Sequence, residues 1–313
     1  MAGVLAQMSA LILCGVILRR LRPGGIDPER VRRAVTGLVF NALLPALVLS
    51  ALWGGGVSPQ GWKISLFGMA IVVFGIAVTL CLDRALRLER RQLGATMLGI
   101  SFSNVTFLGL PVLEQTFGPD LARPLVIQID LFSTAPLVFT LGVYIASRYG
   151  EAPGNPSAAL RALLFNPPLG AALFAMMLGE YDIPQPAALE LALETAASSV
   201  APLMLLALGL GLRWDVWRKE NTLLVVLASG LKLVAVPLFG LGLTQILAVS
   251  GDTRSALVLE AGMPSMLLGI VYCDRYRLDT GLYAMLATST TLLALGTLPL
   301  WHLTIEALLG SRA

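Results

Sequence analysis

The run Ser101-Phe-Ser103-Asn104-Val-Thr106-Phe-Leu-Gly109-Leu-Pro111 sets four polar side chains just ahead of a glycine and a proline. It lies in a stretch, 92–113, that holds no Lys, Arg, Asp or Glu. A proline inside a helix removes a backbone donor and clashes with the preceding turn. In lipid the freed carbonyls survive only within protein or beside a wet cavity. Two half-helices meeting there would aim one positive and one negative dipole end into the same space. The chemistry that suits such a place is binding of a small anion, with a cation on the carbonyl side. The alternative is an ordinary proline kink in which Ser and Thr bond back to the backbone. Lys232 is a second candidate, because it falls inside a long apolar segment, about 16 Å from its nearer end at 1.5 Å per residue. A charge at that depth costs at least ~2.5–3.5 kcal/mol, so a functional role or a structural ion pair must hold it. Asp130, Glu260 and Glu114, with the Ser103 hydroxyl, are the candidate partners, ion ligands or proton carriers. Glu114 also reads as an interfacial carboxylate.

The elements that position these residues follow from composition. Of 313 residues, 56 % are hydrophobic and 13 % charged, about half the ~25 % of a soluble domain. So few charges cannot cover so much apolar surface, and the chain reads as an all-α integral membrane protein. Ten spans of about 20 residues are expected at 2–18, 34–53, 63–82, 93–117, 121–147, 162–179, 187–212, 221–247, 255–273 and 280–305. The apolar runs are too long for barrel strands. The first span reaches Arg19-Arg20 with no early positive cluster and reads as a retained helix, not a signal peptide.

Seventeen basic residues fall in odd-numbered loops, against four (Lys63, Arg123, Arg254 and Arg312) in even loops and tails. The positive-inside rule then puts both termini outside a plasma membrane. A net charge of +3 gives no reason to expect a nucleic-acid partner. Cys14, Cys81 and Cys273 show no metal-ligand spacing, and no metal is firmly implied. The absence of H-E-x-x-H, G-x-S-x-G and paired-Asp motifs argues against an enzyme. Glu190 and Glu194 share a helix face that reads as a solvated vestibule, Asn41 as a cap on the kink at Pro45, and His302 as interfacial. Trp53, Trp62, Trp214, Trp217 and Trp301 fall near expected membrane boundaries, as an aromatic belt does.

The spans repeat. Pro45 and Pro202 sit midway along spans 2 and 7, Gly109-Leu-Pro111 and Gly262-Met263-Pro264 in spans 4 and 9, and Ser133-Thr134 is matched by Ser289-Thr290. Five spans per half force opposite orientations, giving two inverted five-helix repeats, 1–150 and 151–313. Paired Gly/Pro interruptions in such repeats are the pattern of secondary transporters.

The segment from Asn104 to Pro111, the later Gly262-Met263-Pro264, Leu44-Pro45 and the run Lys232…Pro237 resemble the auxin efflux carrier family of permeases over essentially the whole chain. The family is similar in fold to the bile-acid/sodium symporters. The resemblance implies a scaffold of spans 1, 2, 6 and 7 and a mobile transport unit of spans 3–5 and 8–10. Spans 4 and 9 would cross at Pro111 and Pro264, with substrate beside the crossover, and Asn104 matches the family's substrate-facing asparagine. A homodimer through the scaffold is also implied. The central loop, Arg148 to Leu164, lacks the long insertion of the plant exporters, so the chain looks like a compact bacterial member of the inner membrane.

The expected function is therefore secondary transport of a small organic anion, such as malonate, malate or an auxin-like acid, by elevator-type alternating access. The expected substrate residues are Asn104, Thr106, Gly109, Pro111, Lys232, Met263 and Pro264. The deep acids Asp130, Glu260 and Glu114 outnumber Lys232, so an anion requires a protonated carboxyl or a co-bound cation, H+ or Na+. No other cofactor is expected. Sodium-coupled uptake of a larger amphipathic acid and a membrane receptor are the alternatives.

Overall fold

The computed structural model describes residues 2–22, 25–53, 61–151, 156–213 and 217–310; Trp214 and Arg312 lie outside the described residues. Every regular element among them is helical, and the one extended contact is an antiparallel bridge between Ser103 and Ser265. Six helices are long and apolar enough to cross a membrane: Pro28–Leu52, Gly61–Leu86, Pro119–Tyr149, Ala187–Gly211, Lys219–Ile246 and Thr280–Leu308. They coincide with expected spans 2, 3, 5, 7, 8 and 10. Span 1 is the helix Ala2–Leu21. Span 4 is two pieces, Arg90–Ser101 and 105–117, and span 9 is two, Gly251–Ala261 and Gly269–Arg275.

Helix starts differ from the sequence expectation where a cap-and-proline pair resets the chain. Span 2 begins at Pro28, with Asp27 accepting from Glu29 N, so Arg30, Arg32 and Arg33 stand on helical turns and not in a loop. Span 6 is shorter than expected. Asn166 caps Pro167–Glu180 by accepting from Leu169 N at 3.1 Å, and residues 162–164 belong to a separate helix, Pro156–Leu164.

Internal prolines shape the long helices without breaking them. Pro45, Pro111, Pro136 and Pro237 each follow a five-residue π turn, at Val39–Leu43, Val105–Gly109, Asp130–Thr134 and Leu231–Ala235. Proline offers no N–H and its ring crowds the carbonyl four residues back, so the preceding turn widens to i→i+5 bonding. Pro111 is thus not the break in span 4, which falls earlier, at 102–104. Pro237 has no N–H to offer the Leu233 carbonyl four residues back, and Trp301 Nε1 donates to that carbonyl at 2.9 Å. Trp301 is 9 % exposed, a buried partner of the backbone and not a member of an interfacial belt.

Two groups of helices share the core. Ala2–Leu21 packs along Val200–Gly211 so closely that a Cβ at Gly209 would fall on the Ile12 carbonyl, and Pro28–Leu52 packs on Pro167–Glu180 and Ala187–Gly211. In the other group Gly61–Leu86 lies against Arg90–Ser101 and Val236–Ile246, and Thr280–Gly310 lies against Arg90–Ser101. The groups meet where Pro28–Leu52 and Val200–Gly211 face 105–117 and Pro119–Ile129.

Candidate binding site at the crossover

The two interrupted helices are joined through their unwound backbones. Asn104 N donates to Pro264 O at 2.8 Å, and Met266 N donates to Phe102 O at 3.1 Å, flanking the Ser103–Ser265 bridge. Unwound backbone inside an apolar core needs other partners. Thr290 Oγ1 accepts from Ser265 N at 3.2 Å, Tyr283 OH donates to Met266 O at 2.7 Å, and Ser265 Oγ donates to Gly99 O at 2.7 Å. The helix Thr280–Gly310 therefore braces the break from behind.

A cavity of about 590 Å³ opens beside this crossover. Ser103, Asn104, Thr106 and Asp130 line it, as do Asn41 and Thr134, within a largely apolar wall. Asn104 is the residue immediately before 105–117, is 2 % exposed, and its Nδ2 meets no acceptor. The first N–H groups of a helix lack intrahelical acceptors, so the same wall offers a positive dipole end beside that amide. Arg32, Arg33 and Arg275 also line the cavity, Arg32 being paired with Glu29. In the sequence these arginines belong only to the basic residues of the odd-numbered loops; charge alone signals either role, and helical register separates them.

The remaining candidates sit behind the wall. Gly109, Pro111, Met263 and Pro264 are buried but do not line the cavity, and neither do Lys232, Glu260 and Glu114. Lys232, fully buried, donates from Nζ to Ser103 Oγ at 2.6 Å, and so touches the cavity through that serine. Glu260 is 2 % exposed and neither carboxylate oxygen has a hydrogen-bond partner. It lies against Gly109, where an added Cβ would come within 2.5 Å of Oε2. Glu260, Ser101, Ser103 and Thr134 line a second hole of about 20 Å³, and the Ser101 hydroxyl is unpartnered too. That space suits one water-sized occupant.

A family model described as membrane transport protein matches residues 15–150 and 156–302. The chain belongs to this family, the auxin efflux carriers. Its relatives include a protein of Methanothermobacter thermautotrophicus, 28 % identical over 94 % of this chain and 95 % of the relative. Another, from Methanocaldococcus jannaschii, is 25 % identical over 88 % and 91 % of the two chains. A protein of Escherichia coli is 24 % identical over 63 % of each chain. All three bear the name uncharacterized transporter. The chain is a multi-pass membrane transporter.

In this transporter the acidic residues nearest the far end of the cavity are tied down. Arg123 donates from Nε to Glu114 Oε1 at 2.6 Å and from Nη1 to Glu194 Oε2 at 2.6 Å. Ser50 Oγ donates to the same Glu194 oxygen at 3.0 Å. Ser50 is eighteen residues beyond Arg32 on one helix, about 27 Å along its axis, so this clamp stands at the end opposite the arginines. Arg123, read as a loop residue from sequence, is 8 % exposed within Pro119–Ile129, and Glu194, on a face where it and Glu190 are exposed, bonds across to it. Glu114 is accordingly an ion-pair partner 9 residues from Arg123 in sequence, away from the cavity.

Proposed function

We propose that this family member is a secondary transporter of organic acids. The observation that carries the reading is the buried, unpartnered amide of Asn104 at a helix start, in the wall of a cavity rimmed by arginines. Backbone N–H groups, an amide and distant cations together suit a carboxylate. A volume of about 590 Å³ lies in the range of drug-sized ligands, and with its apolar wall it favours an amphipathic acid over malonate or malate.

The remaining architecture in this proposal is ten spans in two inverted repeats, with the paired unwound stretches at matching places in each half. Spans 1, 2, 6 and 7 form the scaffold and spans 3–5 and 8–10 the moving unit, which agrees with the grouping of helix contacts. The positive-inside rule puts the termini outside the inner membrane and the arginine rim in the cytoplasm. The cavity is then inward-facing and the Arg123 clamp closes the outer end. Elevator motion carries the crossover past the scaffold, and a homodimer through scaffold faces anchors it. Glu260, beside a hole for one small occupant, takes the coupling H+ or Na+, and Lys232 holds Ser103 between that hole and the cavity.

The test is uptake of labelled aromatic and aliphatic acids into proteoliposomes under separately imposed sodium and proton gradients, for wild type and Glu260→Gln. Flux that follows one gradient, and loses that dependence in the variant, is the expected result. Gradient-dependent flux unchanged by the substitution removes Glu260 from coupling.

A further inference from the structure

Among the described residues, Asp130 supplies the only carboxylate that lines the large cavity. It opens the π turn Asp130–Thr134, and its neighbours Val126, Ile127 and Leu131 make the same stretch of wall apolar. Its Oδ2 accepts from Thr106 Oγ1 at 2.6 Å. Among the described residues no basic side chain pairs with it and no second donor reaches it; Lys232 is committed to Ser103 and Arg123 to Glu114 and Glu194. The wall of the same cavity holds the reverse vacancy in hydrogen bonding, a buried Asn104 Nδ2 with no acceptor.

A lone carboxylate in an apolar wall repels a simple anion and loses hydration when one enters. A ligand that brings its own donor removes that penalty, whereas a ligand without one leaves an acceptor open in a closed site. We infer that Asp130 is a specificity residue, and that the cavity takes a carboxylic acid whose apolar body also carries an O–H or N–H donor. The acid is held at Asn104 and the donor at Asp130, with Thr106 fixing the carboxylate so that one oxygen stays presented. This rests on the organic-acid reading above and narrows its substrate class.

The experiment is binding of phenylacetate and of its 2-, 3- and 4-hydroxy derivatives to the purified full chain, at one pH, for wild type, Asp130→Ala and Thr106→Val. A hydrogen bond to a charged group corresponds to about 10- to 100-fold in affinity. Wild type is therefore expected to bind at least one hydroxy isomer more tightly than phenylacetate by that factor. Asp130→Ala should erase the difference while still binding phenylacetate at least as well, a readout that loss of fold cannot produce. Thr106→Val should shrink the preference without erasing it. Binding of all four acids with no preference, or a preference that survives Asp130→Ala, overturns the inference and leaves the organic-acid reading intact. Failure of all four to bind overturns both.

Discussion

Replacing Glu194 by Ala cuts the link between Arg123 and Ser50 while leaving Arg123 paired with Glu114. Arg123 is 10 % and Glu114 14 % exposed in their side chains, but Glu194 is 50 % exposed. The lost bond is thus neither a surface pair worth ~0.2–1 kcal/mol nor a buried pair whose rupture costs ~3–5 kcal/mol. A value of about 1–2 kcal/mol is expected, or about 5- to 30-fold in a two-state equilibrium. Because the bond joins the two helix groups, that energy should be lost from this closed arrangement and not from each group's own packing. The assay is maleimide labelling of a single Cys at Phe107, a cavity-lining position, with Cys14, Cys81 and Cys273 replaced. In right-side-out vesicles an impermeant reagent should label the Glu194→Ala background severalfold faster than the parent. The exchanged pair Arg123→Glu with Glu194→Arg should restore part of the protection. Unchanged labelling together with a lower melting temperature would refute the latch and make the clamp a packing feature.

Other consequences concern the braces and deep charges. Trp301→Phe removes the indole N–H that bonds the Leu233 carbonyl and should cost about 1–3 kcal/mol, read as a lower melting temperature with little change in substrate affinity. Gly109→Ala drives a Cβ to within 2.5 Å of Glu260 Oε2, so uptake should fall at least tenfold while Gly142→Ala, whose nearest contact is 3.5 Å, should be mild. Lys232→Met leaves Ser103 without its donor and Glu260 without the nearby cation; uptake should be lost in protein that still purifies as a folded species, and normal uptake would make the lysine dispensable.

The long helices were legible because an apolar run of about 20 residues has few alternatives in a membrane. The breaks were less so. Gly109-Leu-Pro111 and Gly262-Met263-Pro264 look alike in sequence, yet the first proline is absorbed by a π turn and the second lies in unwound chain. What separates them is tertiary: Thr290 and Tyr283 supply partners for the backbone of 265–266, the Gly99 carbonyl takes the Ser265 hydroxyl, and none of these is adjacent in sequence. Ser103, Asn104, Thr106 and Asp130 all reach the cavity, being placed on the break and on the π turns beside it. Glu114 does not, because Arg123 captures it across the tight turn between 105–117 and Pro119–Ile129. A charge close to a helix end cannot be told from a loop charge by composition, so the sequence alone gives Arg123 and the rim arginines as loop charges and not as clamp and cavity residues.

Flux through the crossover cavity is the central claim, and Asn104 is its most direct probe. Proteoliposomes containing wild type or Asn104→Ala should be compared for uptake of a labelled hydroxyphenylacetate under imposed sodium and proton gradients, with melting temperature measured alongside. Saturable wild-type uptake that falls at least tenfold in an equally stable variant is the predicted result. Equal saturable uptake by both would contradict it and move the substrate away from the crossover.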